Sequence, residues 1–410
     1  MKILLLAPMV PQAEGAGAIP LLLEAQLAGL RERHEVALVT AIGDEPREAE
    51  AAAALRAGGI DVHLADRRRP QAGIRRWRRR RRLAGAWLRR PWPWRTVWFA
   101  DPGIQAKLDE LAAAQRFDVV AVEDSSMAVF RLPAGVPAVL TEHEVRRPRP
   151  LAPPPTRPAG WIDWAFGELD WRRWRGFQGT AWRRFDLIQA FGERDAAAIS
   201  SLAPDLATRV RVNPFGLSPP PAAEPEREER GTLLFAGNFT HPPNRDAAHW
   251  LAREIMPIVL ASKPRAHLRI VGSAPPAATL GLAGDRVEVI ADAPVMRPHL
   301  EAASVVLAPV RIGGGMRMKV LHAMAAGKPV ITTLRGAEGY RGAPECPLVV
   351  ADGAAAIARA TIELIGDDEK RRALGRRGRE FALDRHSPAA WSSRLEAVYG
   401  EAIERSRSDA

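Results

Sequence analysis

Short apolar runs alternate with segments of helical period along most of this chain. Lys2–Ala7 reads as a buried strand, and further strands are predicted at Glu35–Thr40, Ile60–Leu64, Asp118–Glu123, Ala138–Thr141, Asp186–Gln189 and Val210–Val212. Helical spacing fills several of the gaps, at Ile19–Arg33, Glu45–Ala57 and Gly103–Ala114. Strands that are apolar throughout and separated by helices predict a parallel sheet covered on both faces. The run Pro219–Pro225 interrupts the pattern as a stiff, extended linker. The alternation then restarts, with strands at Thr232–Ala236, His267–Val271, Arg286–Ile290, Ser304–Ala308, Pro329–Thr332 and Leu348–Val350. Helices are predicted at Arg245–Ala261, Met296–Ala302, Met316–Ala326 and Gly353–Ile365.

The predicted fold class is therefore α/β, with two Rossmann-like domains over 1–218 and 231–386 and a linker over 219–230. A C-terminal amphipathic helix, 387–405, is available to pack back on the first domain. The length of 410 residues agrees, since it exceeds what one core usually serves. Two stretches break the rhythm of the first half. One is the arginine- and tryptophan-rich run Arg67–Trp98; the other spans Arg146 to Arg184, and its part from Trp161 onward has helical spacing.

Composition excludes some classes of protein. No apolar run reaches the roughly 18 residues of a membrane-spanning helix, and the start lacks the pattern of a signal peptide. A cytoplasmic protein is the expectation, with a peripheral place at the inner face of the plasma membrane as its extension. A single cysteine, Cys346, forbids an intrachain disulfide and a cysteine-based zinc site.

Three strand ends carry candidate chemistry. After the first strand, Gly15 and Gly17 precede a helix, so backbone amides and a positive helix end are available to a phosphate or sugar. An ordinary tight turn explains these two glycines equally well. After the strand ending at Thr141 comes Glu142-His143-Glu144, a histidine between carboxylates. The third place is Pro309-Val-Arg-Ile-Gly-Gly-Gly-Met-Arg-Met-Lys319, a strand feeding three glycines and then a helix, with Arg311, Arg317 and Lys319 around the turn. Glycines for close approach, a helix N-terminus and cations together describe a cradle for a diphosphate.

These passages, with Phe235–Ala247, Leu268–Ser273, His322–Ile331 and Gly336–Gly339 in register, resemble the glycosyltransferase group 1 family, family 4 in the carbohydrate-enzyme classification. The first domain resembles it in Leu140–Val145, Phe185–Ala190 and Glu193–Asp195. The resemblance implies a GT-B fold, with the two domains facing across a cleft, the donor on the second and the acceptor on the first. It implies transfer from a nucleoside-diphosphate sugar with retention of configuration. No metal and no cofactor beyond the nucleotide-sugar co-substrate are expected; the chain contains no Asp-x-Asp pair.

By the same resemblance His143 contacts the donor sugar, and Arg317 and Lys319 hold the phosphates with Gly313, Gly314 and Gly315. Gly15 and Gly17 lie near the phosphates or acceptor. Asn238 and Arg245 fall where the wider family places phosphate ligands, and Glu338 falls on the nucleoside side. The family's pair of glutamates lands here on Gly314 and His322. A neutral histidine offers one acceptor where a carboxylate offers several, so His322 weakens the ribose contact.

Between Arg67 and Ala100 the chain has thirteen arginines and no acidic residue, within a net charge of +11. Docking on an anionic membrane surface and a solvated basic loop both fit this run, and nucleic-acid binding ranks behind them. The function expected is sugar transfer to a hydroxyl acceptor, a lipid-linked or cell-envelope polysaccharide precursor. The alternatives are a catalytically weak, membrane-associated GT-B binding protein and a sugar-nucleotide epimerase.

Overall fold

A computed structural model describes residues 1–13, 17–67, 74–148, 151, 153–154, 160–340, 342–343 and 345–408. The chain forms two compact units, one of Met1–Ala13, Leu22–Asn213 and Ser392–Ala410, the other of Glu14–Leu21 with Pro214–Trp391. The first sheet comprises β1 (Lys2–Leu6), β2 (Glu35–Ile42), β3 (Asp61–Asp66), β4 (Val119–Glu123), β5 (Ala138–Glu142), β6 (Leu187–Ala190) and β7 (Val210–Val212). Its helices are α1 (Ala18–Leu30), α2 (Pro46–Ala57), α3 (Ile74–Arg89), α4 (Trp94–Phe99), α5 (Pro102–Ala114), α6 (Trp161–Trp182) and α7 (Glu193–Leu202). The strands stand in the order β3-β2-β1-β4-β5-β6-β7, every pair parallel.

The second sheet repeats the plan with β8 (Thr232–Ala236), β9 (His267–Gly272), β10 (Val287–Ala291), β11 (Val305–Ala308), β12 (Val330–Thr332) and β13 (Val349–Val350). Its order is β10-β9-β8-β11-β12-β13, again parallel. The helices that follow are α8 (Pro242–Trp250), α9 (Met256–Ser262), α10 (Ala277–Leu280), α11 (Arg297–Ala302), α12 (Met318–Ala325), α13 (Ala354–Gly366), α14 (Asp368–His386) and α15 (Pro388–Ser408). Each unit has its own core, one around Leu4, Val120, Leu140 and Ile188 and one around Leu233, Ile270, Leu307 and Ile331. In both sheets the strand order reverses at the centre, beside β1 and β4 in one and β8 and β11 in the other. Loops diverge at such a point and leave a crevice beyond the carboxyl ends of the strands, where ligands of α/β proteins bind. The predicted α/β class is thus observed in both halves.

Three elements differ from the sequence reading. The arginine-rich run contains two helices, α3 and α4, where an interruption was expected. The helix expected over Arg245–Ala261 begins earlier, at Pro242, and passes through a widened π turn at Leu251–Ile255 between α8 and α9. Pro257 supplies the reason, because it has no N–H to return to the preceding turn. Finally, α14 had no apolar stripe to announce it. Its buried positions include Arg371, Gly375, Gly378 and Phe381, so glycines occupy places where large apolar residues usually mark a packed face.

Those glycines let α14 close on α12. A Cβ at Gly375 would collide with the carbonyl of Gly327, and one at Gly378 would touch Met324. Gly375→Ala is therefore expected to destabilise the second unit by about 1–3 kcal/mol, as overpacking does. A lower urea midpoint for that unit checks this, and an unchanged midpoint refutes the tight crossing.

Candidate active site

In the second unit the candidate site lies beyond β8 and β11, at the central reversal. The turn after β11 needs its glycines, since Gly313 and Gly315 adopt φ of 85° and 83°. Arg335, from the turn after β12, donates Nη1 to the Gly313 carbonyl at 2.9 Å. Tyr340 donates its hydroxyl to the Arg317 carbonyl at 2.7 Å, just before α12 begins. The loop is thereby pinned by two side chains from one neighbouring segment.

Lys319 occupies the first turn of α12. Its Nζ donates to Asn244 Oδ1 at 2.6 Å and lies 4.4 Å from the centre of the Phe235 ring. Among the described residues it has no ion-pair partner. Burial, with the neighbouring Arg317 guanidinium adding to it, pulls the Lys319 pKa down to about 7. A Cβ on Gly237 would stand 2.9 Å from Asn244 Cγ and 3.1 Å from Lys319 Nζ, so the backbone at the end of β8 closes over this pair. A desolvated ammonium that lacks a counter-charge is a site for an anion.

The sequence candidates separate here. Arg317, Lys319 and the three glycines come together, and His322 lies on the same short helix. His322 is half-buried, burial lowers its pKa, and its ring has no hydrogen-bond partner among the described residues. Arg311, expected as a third cation at the turn, is neutralised: it makes two bonds of 2.7 and 3.0 Å to Asp246 and stacks on Trp250. Asn238 and Arg245 are engaged in their own turn. Asn238 Oδ1 accepts from Thr240 N and Oγ1, while Arg245 donates to the Phe239 and Thr240 carbonyls. Glu338 is half-buried in the turns after β12. Asn244 and Arg335 were missed. Asn244 directly precedes Arg245 on α8, and nothing in the sequence marks it as the partner of a lysine 75 residues away.

In the first unit polar residues gather at the ends of β4 and of its neighbour β5. His143 Nε2 meets Glu123 Oε2 at 2.8 Å, and Phe191 packs edge-on against the ring at 5.1 Å. Glu123 Oε1 also accepts from Gln26 at 2.8 Å and Thr141 at 2.9 Å. Asp124 pairs with Arg95 at 2.9 Å, and Glu142 accepts from the Trp182 indole at 2.7 Å. Burial, reinforced by the Asp124 charge, raises the Glu142 pKa to about 7. For His143, burial opposes the charge, but the Glu123 hydrogen bond and the charges of Glu123 and Asp124 outweigh it, and the pKa rises. Burial opposes the charge of Asp124 too, yet Arg95 and His143 hold its pKa low. The raised Glu142 pKa lessens the negative charge gathered in this buried place. Glu123, Asp124 and Arg95 were not singled out from sequence, although Glu123-Asp124 ends a strand as Glu142-His143 does. Gly17 has φ of 97° immediately before α1, and Gly15 lies outside the described residues.

Two Rossmann-like sheets, each with polar residues gathered at its strand ends, are those of the GT-B fold, and solved structures share it. The N-terminal domain of trehalose-6-phosphate phosphatase from Candida albicans superposes with a TM-score of 0.65 at 12% identity, over 98% of this chain and 97% of that one. Sucrose-phosphate synthase from Thermosynechococcus elongatus gives 0.65 at 16% identity, over 99% and 100%. Anabaena HepE, solved with UDP and glucose, gives 0.61 at 14% identity, over 98% and 100%. Residues 230–367, within the second unit, match the family model of group 1 glycosyl transferases. No curated protein matches the sequence.

Proposed function

We propose that this protein moves a sugar from a nucleoside-diphosphate sugar to a hydroxyl acceptor, with retention of the donor's configuration. One observation carries the reading: Lys319 is a half-buried amine with no acidic partner among the described residues, at a glycine loop where the sheet order reverses. A diphosphate supplies the missing charge. Arg317, Lys319 and the amides of Gly313–Gly315 bind it and stabilise its departure, so charge compensation comes from side chains and backbone without a metal ion. The acceptor oxygen attacks the anomeric carbon, the bond to the diphosphate oxygen breaks, and the hydroxyl proton passes to the departing phosphate. His143, whose pKa the Glu123 hydrogen bond and charge raise, hydrogen-bonds the donor sugar. A neutral His322 accepts one hydrogen bond from the ribose. Since HepE was solved with UDP, uridine nucleotides are the first donors to test. A lipid-linked or polysaccharide precursor is the acceptor we favour.

A donor that binds the folded chain raises its apparent stability by about 2.7 kcal/mol at a hundred times its Kd. UDP, other nucleoside diphosphates and their sugar conjugates are expected to separate in a thermal-shift panel. No stabilisation by any of them refutes the donor site. A second reading rests on His322, which replaces a carboxylate: a protein that binds donor and transfers poorly. Stabilisation without transfer or hydrolysis of the donor distinguishes it.

A further inference from the structure

Helices α3 and α6 share a surface that the transfer chemistry does not use. They are joined where α3 ends: Trp87 packs on Phe166 at 4.8 Å, its indole donates to Asp170 Oδ1 at 3.2 Å, and Arg173 donates to the Trp87 carbonyl. Trp94 N reaches the same Asp170 oxygen at 2.6 Å. The later part of α6 is anchored by buried Trp174, Gln178 and Trp182. Its first three turns carry apolar residues into solvent. Trp161 is 51% exposed, Ile162 82%, Phe166 38% and Leu169 43%; on α3, Trp77 is 55% and Leu88 71% exposed. Side chains of this size gathered on adjoining helices are what a partner surface leaves uncovered.

The charge on α3 selects the partner. The helix reads IRRWRRRRRLAGAWLR, eight arginines and no acid. Arg78 and Arg82 stand four residues apart, a spacing at which like charges destabilise a helix. An anionic surface removes that repulsion. Aromatic and aliphatic side chains beside arginines describe a helix lying in the headgroup layer of a bilayer. A symmetric dimer through the same patch would bring two arginine helices together. RNA would use the aromatic rings and leave Ile162, Leu169 and Leu88 without a role. No helix among the described residues is long and apolar enough to cross a membrane.

We infer that the α3–α6 surface docks the first unit on a bilayer rich in anionic headgroups, with Arg78, Arg81 and Arg82 of α3 on the phosphates and the exposed face of α6 among the upper acyl chains. This inference is independent of the transfer reading. Co-sedimentation of the full chain with vesicles tests it. Vesicles containing about a third phosphatidylglycerol should bind at least about tenfold more tightly than phosphatidylcholine alone, and added salt should weaken the binding. The double variant I162D/L169D, on exposed positions, should lose about tenfold in vesicle affinity with an unchanged thermal melt. R81E/R82E should do the same through charge alone. Equal binding to both vesicles, or wild-type binding by both variants, overturns the inference. So does self-association that depends on Ile162 without vesicles, or RNA binding abolished by the same substitutions.

Discussion

Lys319→Ala is expected to lower kcat/KM for sugar transfer by about two to three orders of magnitude, the loss typical when a group that stabilises departing negative charge is removed. The size follows from the environment. The ammonium is half-buried against Phe235, anchored by Asn244 and without an acidic partner among the described residues, so its attraction for a diphosphate is weakly screened by water. The pH dependence gives the effect a signature. In the free protein Lys319 titrates at about 7, so above that pH the diphosphate must bind together with a proton. KM for the donor should therefore rise with pH above about 7, approaching tenfold per unit for one linked proton. In Lys319→Ala this limb should vanish. Turnover near the wild-type value, or a persistent limb, excludes the role. Asn244→Ala keeps the charge and loses the anchor, so a smaller defect is expected from it.

The second large effect is expected at His143. Loss of a charge-assisted hydrogen bond to the sugar is worth about 1.5–3 kcal/mol, so His143→Ala should reduce kcat/KM by roughly ten- to a hundredfold. Glu123→Gln separates charge from shape. It retains a polar partner 2.8 Å from the ring and removes the negative charge that favours the imidazolium. The alkaline fall of kcat should consequently move to lower pH, while the KM limb set by Lys319 stays in place. Stability follows the same sign. A folded-state pKa above the unfolded value of about 6.5 gives a contribution that is complete below that pH and lost as pH rises through the raised value. Glu123→Gln should weaken this contribution. A Glu123→Gln protein with the wild-type kcat profile would show that the pair is structural only.

Both expectations rest on contacts that are distant in the chain, and the division between legible and hidden residues follows from this. Backbone requirements are written locally. Strand and helix alternation, the glycines that must take positive φ at 313 and 315, and a histidine at a strand end are visible because each depends on its immediate neighbours. The amino-acid sequence by itself therefore determined two parallel α/β sheets and the glycine turn that follows β11.

Which charges stay available was decided by tertiary structure. Arg311 and Lys319 look alike along the chain, yet Asp246 neutralises Arg311 from 65 residues away, while Lys319 meets the amide of Asn244 and no acid among the described residues. Gln26 and Thr141 converge on Glu123 across separations of 97 and 18 residues and steady the carboxylate that charges His143. The close crossing of α14 on α12 was equally hidden, because glycine marks it by the absence of a side chain. Pairing and desolvation depend on distances in space, and a charge has no fixed value until folding sets which partner and how much water it keeps.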